Sequence, residues 1–354
     1  MKKIRIGVIG LGHNGRAFCD IYAERSDCEL VAVCDLDNSR VEDAVSTYGC
    51  KGYTNYEILQ DPSIEVISIH TSDNAHREPF IKAIETGHHV FVEKPMADTL
   101  EDVEAMVAAY RAHPDCIAAV GHVLRFNRYF EIIKKWVDLG LLGDIFYMEG
   151  DYIHDLRYQY YMEDWKISKE IPMLGGGCHP LDLLRWYAGD VTEVTAFSNH
   201  IAYPEMAEDA SMVAIFKFAG GATGKVTSLY GPCSPMPYGY NLSIYGTKGT
   251  VVRDKVSFDG LGHQWMDIPD TFDPTHSYVP EVEHFLDCVR TEKNLWLHRR
   301  SPPTPLSLLC MRYALPKKKP SLRCHRSDFR NFPKIVLTNV PRCGMMSLKL
   351  NKGC

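Results

Sequence analysis

The sequence predicts an α/β protein built on two different sheets. Three observations carry this. Short apolar strands alternate with amphipathic helices as far as about Val123, longer strands separated by glycine turns follow, and a glycine triplet stands directly after the first strand. Strand–helix alternation is the pattern of βαβ units and a parallel sheet, whereas strands joined by tight turns pair antiparallel.

Taken in order, the periodicity predicts strands over 4–9, 30–34, 66–70, 89–92 and 117–120, with helices over 16–24, 41–48, 79–86 and 100–112 between them. Beyond them, strands are expected over 144–152, 193–200, 211–218, 224–229 and 240–245. Gly220-Gly221 and Gly246-Thr247-Lys248-Gly249 supply turns.

Gly10-Leu11-Gly12-His13-Asn14-Gly15 closes the first strand and opens the first helix. Each glycine has its own task. Gly10 allows the tight turn, Gly12 lets backbone approach a pyrophosphate, and Gly15 allows close helix–strand packing. Asp35 ends the second strand, where a carboxylate can bond the ribose hydroxyls and repel a 2′-phosphate. The expected cofactor is therefore NAD(H) over NADP(H), with Arg40 leaving NADP(H) open. Thr71, Asn74 and His76 follow the strand that ends at His70, and loops at the carboxyl ends of parallel strands line the ligand crevice.

With 354 residues, 45% hydrophobic and 24% charged, the chain has the composition of a globular protein of about two domains. The opening Met1-Lys2-Lys3 and the short run after it lack the apolar length and small-residue site of a signal peptide. No run approaches a membrane span. The 12 cysteines show neither a CxxC pair nor zinc spacing, which reads as reduced thiols in a cytoplasmic protein with no metal.

Further motifs complete a resemblance. Glu93-Lys94-Pro95, Gly121-His122-Val123-Leu124-Arg125-Phe126, Gly175-Gly176-Gly177-Cys178-His179-Pro180-Leu181-Asp182 and Glu281-Val282-Glu283-His284-Phe285 follow the glycine fingerprint in order. In these the sequence resembles the Gfo/Idh/MocA family of NAD(P)-dependent sugar and cyclitol oxidoreductases, over about residues 4–290. The resemblance implies a Rossmann dinucleotide-binding domain over 1–122 and a substrate-binding and oligomerisation α/β domain over 123–293, with a large, mostly antiparallel open sheet. It implies a homo-oligomer, dimer or tetramer, acting on a small carbohydrate or polyol, with neither nucleic acid nor membrane as partner. Glu93, Lys94 and Arg125 are expected beside the cofactor.

The implied chemistry moves a hydride between nicotinamide and a secondary alcohol or ketone. By resemblance Lys94 is the ammonium that polarises the oxygen and His179 the acid/base, a role suited to imidazole. Pro95 gives Lys94 local support by keeping it out of helix. Asp182, three residues beyond His179, is placed to orient it or the substrate. Tyr152 and Trp165, in an aromatic-rich stretch, are candidate substrate contacts along with Lys94 and His179. Two departures stand out. Relatives often carry an aspartate four residues before the histidine, where this chain has Gly175, and often proline where it has Arg128. Glycosidase-type chemistry by transient oxidation, and a non-catalytic NAD(P)-binding scaffold, are the alternative readings.

The charge is uneven. Residues 291–354 hold 14 of the 39 basic residues and 2 of the 45 acidic ones. Arg299-Arg300-Ser301-Pro302-Pro303 and Lys317-Lys318-Lys319-Pro320 do not suit the helix and strand with which relatives continue. The expectation is an atypical basic tail over 294–354, not natively packed, translated out of frame rather than selected for nucleic acid.

Overall fold

The computed structural model describes residues 2–155, 171–232, 239–262, 264–269, 278–292, 322–323 and 336–337. Trp165 lies outside the described residues, as does nearly all of the tail, where the described part is the pairing of Leu322–Arg323 with Val336–Leu337.

The first sheet is formed by β1 (Ile4–Ile9), β2 (Cys28–Cys34), β3 (Lys51–Tyr53), β4 (Val66–Ile69), β5 (His89–Glu93) and β6 (Ala118–Gly121). All pair parallel, in the order β3-β2-β1-β4-β5-β6. The order reverses between β1 and β4, and the crevice at their carboxyl ends is where such sheets take a ligand. The central strands are apolar and buried on both faces, as parallel strands covered by helices must be. Those helices are α1 (His13–Glu24), α2 (Asn38–Tyr48), α3 (Arg77–Glu85) and α4 (Leu100–Ala112). Thr99 caps α4 by accepting from the Asp102 N–H.

After α5 (Arg128–Asp138) the chain enters an eight-stranded sheet: β7 (Ile145–Ile153), β8 (Val191–Asn199), β9 (Ser211–Phe218), β10 (Thr223–Leu229), β11 (Gly239–Gly246), β12 (Gly249–Val252), β13 (Lys255–Phe258) and β14 (Met266–Asp267). Its order is β14-β13-β12-β11-β7-β10-β9-β8, antiparallel except for β7 with β10. Burial alternates along β9, so one face is covered and the other open. The covering element is α6 (Cys178–Ala188), buried from Cys178 to Tyr187. Gly150 and Gly224 let it approach, since a Cβ would stand 2.8 Å from Pro180 at the first and 3.3 Å from Leu184 at the second.

One departure from the expected division concerns α7 (Val279–Thr291). Sequence order places it in the 123–293 domain, yet its apolar face joins the core of the first sheet. Val282, Phe285 and Leu286 cluster with Ile6, Phe18 and Phe91, and Phe285 meets Phe91 edge-on at 5.6 Å. The Glu281–Phe285 motif marks a late helix by resemblance to the family, but nothing in it announces the surface that the helix buries.

Candidate active site

The glycine loop builds a cradle. Gly10 has φ +93°, and a Cβ there would stand 2.6 Å from the His70 carbonyl. A Cβ on Gly15 would lie 1.9 Å from the Gly10 oxygen, so helix and turn close only around glycine. Gly12 differs: a Cβ there would point into open space. It precedes α1, which begins without a side-chain cap, so the first helical N–H groups face that space. Leu11 is buried, His13 exposed and Asn14 half-buried in the same loop.

Asp35, just after β2, is locked in place. One oxygen accepts from the Leu11 N–H at 2.7 Å and the other from the Asp37 N–H at 2.9 Å. Arg40 reaches only to 3.9 Å. Across the crevice, the buried Thr71 hydroxyl oxygen has no hydrogen-bond partner among the described residues. Exposed Asn74 accepts from Ser72, while buried His76 sets its ring between the Pro95 and Thr71 carbonyls, at 3.0 Å each, and so braces the loop. The uncapped helix, the free space over Gly12, the orphaned Thr71 hydroxyl and the fixed Asp35 carboxylate all fit an adenine dinucleotide. NAD suits Asp35 better than its phosphorylated form.

At the neighbouring strand end, β5 runs into Glu93, Lys94 and a cis Pro95. Lys94 Nζ donates to the Gly175 carbonyl at 3.0 Å. That carbonyl belongs to the single helical turn Pro172–Gly175, immediately before α6. His179, 3% exposed, stands in the first turn of α6, and its ring stacks on Tyr152 with centroids 6.1 Å apart and planes 14° apart. The glycine run allows this, because a Cβ on Gly176 would lie 2.3 Å from the Tyr152 ring. The Tyr152 hydroxyl meets His154 Nδ1 at 3.2 Å. Lys94, His179 and Tyr152, expected together, are gathered at this one corner.

Arg125 and Asp182 differ from expectation in what they hold. The sequence reading set Arg125 beside the cofactor and Asp182 to orient His179 or the substrate. In the fold Arg125 Nε and Nη2 grip the two Asp182 oxygens at 2.6 and 2.7 Å, with both residues buried. Burial alone would raise the Asp182 pKa, but the Arg125 charge, with His122 and Arg185, brings it down to about 2. Residues separated by 57 positions make this pair, and no local pattern announces it.

Three residues escaped the sequence reading: His70, His122 and Glu281. All are titratable groups around this corner, His70 and Glu281 buried and His122 half-buried. His122 Nδ1 lies 3.8 Å from Asp182. Their signal was faint, since a histidine at a strand end and an acid in a first helical turn are ordinary surface features.

A dinucleotide cradle beside a half-buried lysine and a buried histidine defines an α/β oxidoreductase dependent on a nicotinamide cofactor. Residues 4–122 match the family model described as "Oxidoreductase family, NAD-binding Rossmann fold", and residues 130–252 match the "GFO/IDH/MocA C-terminal domain". The chain belongs to this GFO/IDH/MocA oxidoreductase family. It is 26% identical over 313 residues, 82% of this chain and 87% of the relative, to scyllo-inositol 2-dehydrogenase (NAD(+)) of Bacillus subtilis. It is 28% identical over 271 residues, 73% of this chain and 70% of the relative, to 2,7-anhydro-N-acetylneuraminate hydratase of Mediterraneibacter gnavus. Its fold is similar to that of Lactobacillus casei scyllo-inositol dehydrogenase with bound NAD(H) and scyllo-inositol, with TM-score 0.74, 19% identity and coverage of 89% of this chain and 95% of that one. Among the described residues no helix is long and apolar enough to cross a membrane, and no group of three or more His, Cys, Asp or Glu could hold a metal ion.

Proposed function

We propose that this oxidoreductase oxidises a ring hydroxyl of a cyclitol or related sugar, or reduces the matching ketone. The observation that carries the reading is the Lys94–Gly175 hydrogen bond, which joins the strand end beside the cradle to the turn that presents His179. When bound, the nicotinamide accepts or returns a hydride. Lys94 polarises the substrate oxygen through its ammonium and fixes the distance to the cradle. His179 takes the hydroxyl proton on a ring nitrogen and returns it in reduction. Tyr152 backs the His179 ring and offers an aromatic face to sugar C–H groups.

The test is purified protein with NAD and a panel of cyclitols and sugars, followed at the NADH absorbance. Accumulating NADH with a cyclitol supports the reading, and absence of turnover with every polyol despite NADH binding rejects it in favour of a scaffold. The hydratase relative and the neutral carbonyl opposite Lys94 favour a second reading, transient oxidation. Its mark is product formed without net NADH.

The domain reading, 1–122 for the dinucleotide and 123–293 for the substrate, is supported by the spans of the two family models. A cytoplasmic homo-oligomer suits the free thiols of the described cysteines and the open sheet face, where Phe197, Val213 and Ile215 are exposed. Sedimentation of the purified protein tests the oligomer.

A further inference from the structure

Beneath the glycine loop lies a buried polar cluster that the proposed reaction does not use. His70 directly follows β4 against the loop, and its side chain is fully buried. Its Nε2 meets the Ser68 hydroxyl at 2.7 Å, which in turn meets the Tyr22 hydroxyl at 2.9 Å. With Tyr22 donating to Ser68 and Ser68 to Nε2, the ring carries its proton on Nδ1. That atom faces Glu93 Oε1 at 3.8 Å, and neither has a hydrogen-bond partner among the described residues. The other Glu93 oxygen accepts from the Lys94 N–H at 3.1 Å. Glu93 therefore stands between the cluster and the lysine peptide.

The third member comes from α7. Tyr278 packs on Phe18 at 4.9 Å and Phe285 on Phe91 at 5.6 Å, and both of those rings pack on His70, at 4.2 and 6.0 Å. Glu281 lies between Tyr278 and Phe285 on this helix face, 3% exposed, with neither carboxyl oxygen partnered among the described residues. The groups that bear on it are Glu93 and Asp182, and it bears on Tyr22. Glu93, Lys94 and His76 are the remaining charged or titratable groups facing the cluster.

We propose that His70 and Glu281 are positioning residues for the hydride-transfer reaction, which with Glu93 form a buried cluster that fixes the Glu93 carboxylate and, through it, the Lys94 peptide. This rests on the oxidoreductase reading above. Burial, then the Glu93 and Asp182 charges, push the Glu281 carboxyl well above its ordinary value, which favours its neutral acid form. Burial also works against the Glu93 carboxylate, but the facing His70 Nδ1–H dipole and the Lys94 charge hold its pKa below the ordinary value. Burial lowers the His70 pKa and keeps that ring neutral. One carboxylate beside one neutral acid is the stable arrangement, since two buried charges of like sign repel.

Two measurements test this on the NADH-bound full chain. Infrared difference spectra between neutral and alkaline pH should show a protonated carboxyl band that Glu281→Gln removes. This readout needs no turnover, so it separates failure of the cluster from failure of the oxidoreductase reading, which the polyol panel reports. In the pH profile of kcat/KM, the wild type should fall on the alkaline side as Glu281 ionises. Glu281→Gln, which keeps a neutral donor, should hold the neutral rate within about twofold and lose that fall. Glu281→Leu and His70→Leu should lower kcat by roughly tenfold to a hundredfold with NAD affinity kept, and His70→Asn, which retains an N–H near the Nδ1 position, should recover most of it. Absence of the carboxyl band overturns the proposal, as do leucine and conservative variants with the same rate and profile. If the leucine variants do not fold, the band and the Glu281→Gln profile decide.

Discussion

Lys94 Nζ donates to the carbonyl oxygen of Gly175 at 3.0 Å, across 81 positions of sequence. An ammonium rooted at the end of a parallel strand is thereby held by the turn that starts the His179 helix. This partner is a neutral carbonyl, which orients the ammonium without neutralising it. Lys94→Met should lower kcat by about 10²–10³, the usual effect of removing one donor to a developing oxyanion. NADH affinity should change little, because the cradle lies on other strands. Fluorescence titration alongside steady-state rates checks this, and an equal loss of binding and rate would instead make Lys94 a cofactor contact.

The three glycines of the loop should fail in different ways. Gly15→Ala places a methyl 1.9 Å from the Gly10 oxygen, so backbone must move and the melting temperature should drop by several degrees. Gly12→Ala meets no protein atom, so the melting temperature should hold while NADH affinity falls at least tenfold. Thermal melts with and without NADH distinguish the two. A Gly12→Ala protein that binds NADH like the wild type would remove the pyrophosphate from this loop.

Cofactor choice should turn on Asp35. Two backbone N–H groups hold its carboxylate, so it cannot swing away from a 2′-phosphate. Asp35→Ser removes the repulsion and leaves Arg40 nearby. The ratio of kcat/KM for NAD to that for NADP should fall by about 10²-fold, in line with roughly 2–3 kcal/mol for one charge contact at a partly buried site. An unchanged ratio would show that Asp35 does not touch the ribose.

What the sequence made legible follows from range. Helix 100–112 is predicted with both ends correct because Thr99, Glu101 and Asp102 mark its start locally. The strand Lys51–Tyr53 is too short for a period to appear, and α5, though amphipathic, follows a motif that reads as loop. At the site, the glycine loop and Lys94 carry their chemistry in adjacent residues. Glu281 does not. In sequence it is an acid in a first helical turn, and only the docking of α7 on the first sheet buries it. Arg125 and Asp182 each looked functional alone, and their mutual grip is set by two elements meeting.

That grip has a pH signature. The Asp182 pKa falls from 3.8 to about 2 in the fold, because the Arg125 charge outweighs burial. A carboxylate with a depressed folded pKa contributes stability that is fully present above its unfolded value and is lost as pH falls through the folded one. The contribution is about 2 kcal/mol, lost between about pH 4 and pH 2. Asp182→Asn keeps the shape but removes the Asp182 charge from the buried Arg125 guanidinium, which should cost about 3–5 kcal/mol at neutral pH. Other carboxylates titrate in the same window, so the informative quantity is the difference between the two proteins. Urea midpoints measured from neutral pH down to pH 2 should show that difference shrinking as acid removes the wild-type advantage. A difference that stays constant across the range would mean that the pair is held by shape and hydrogen bonding, with the Asp182 charge contributing nothing.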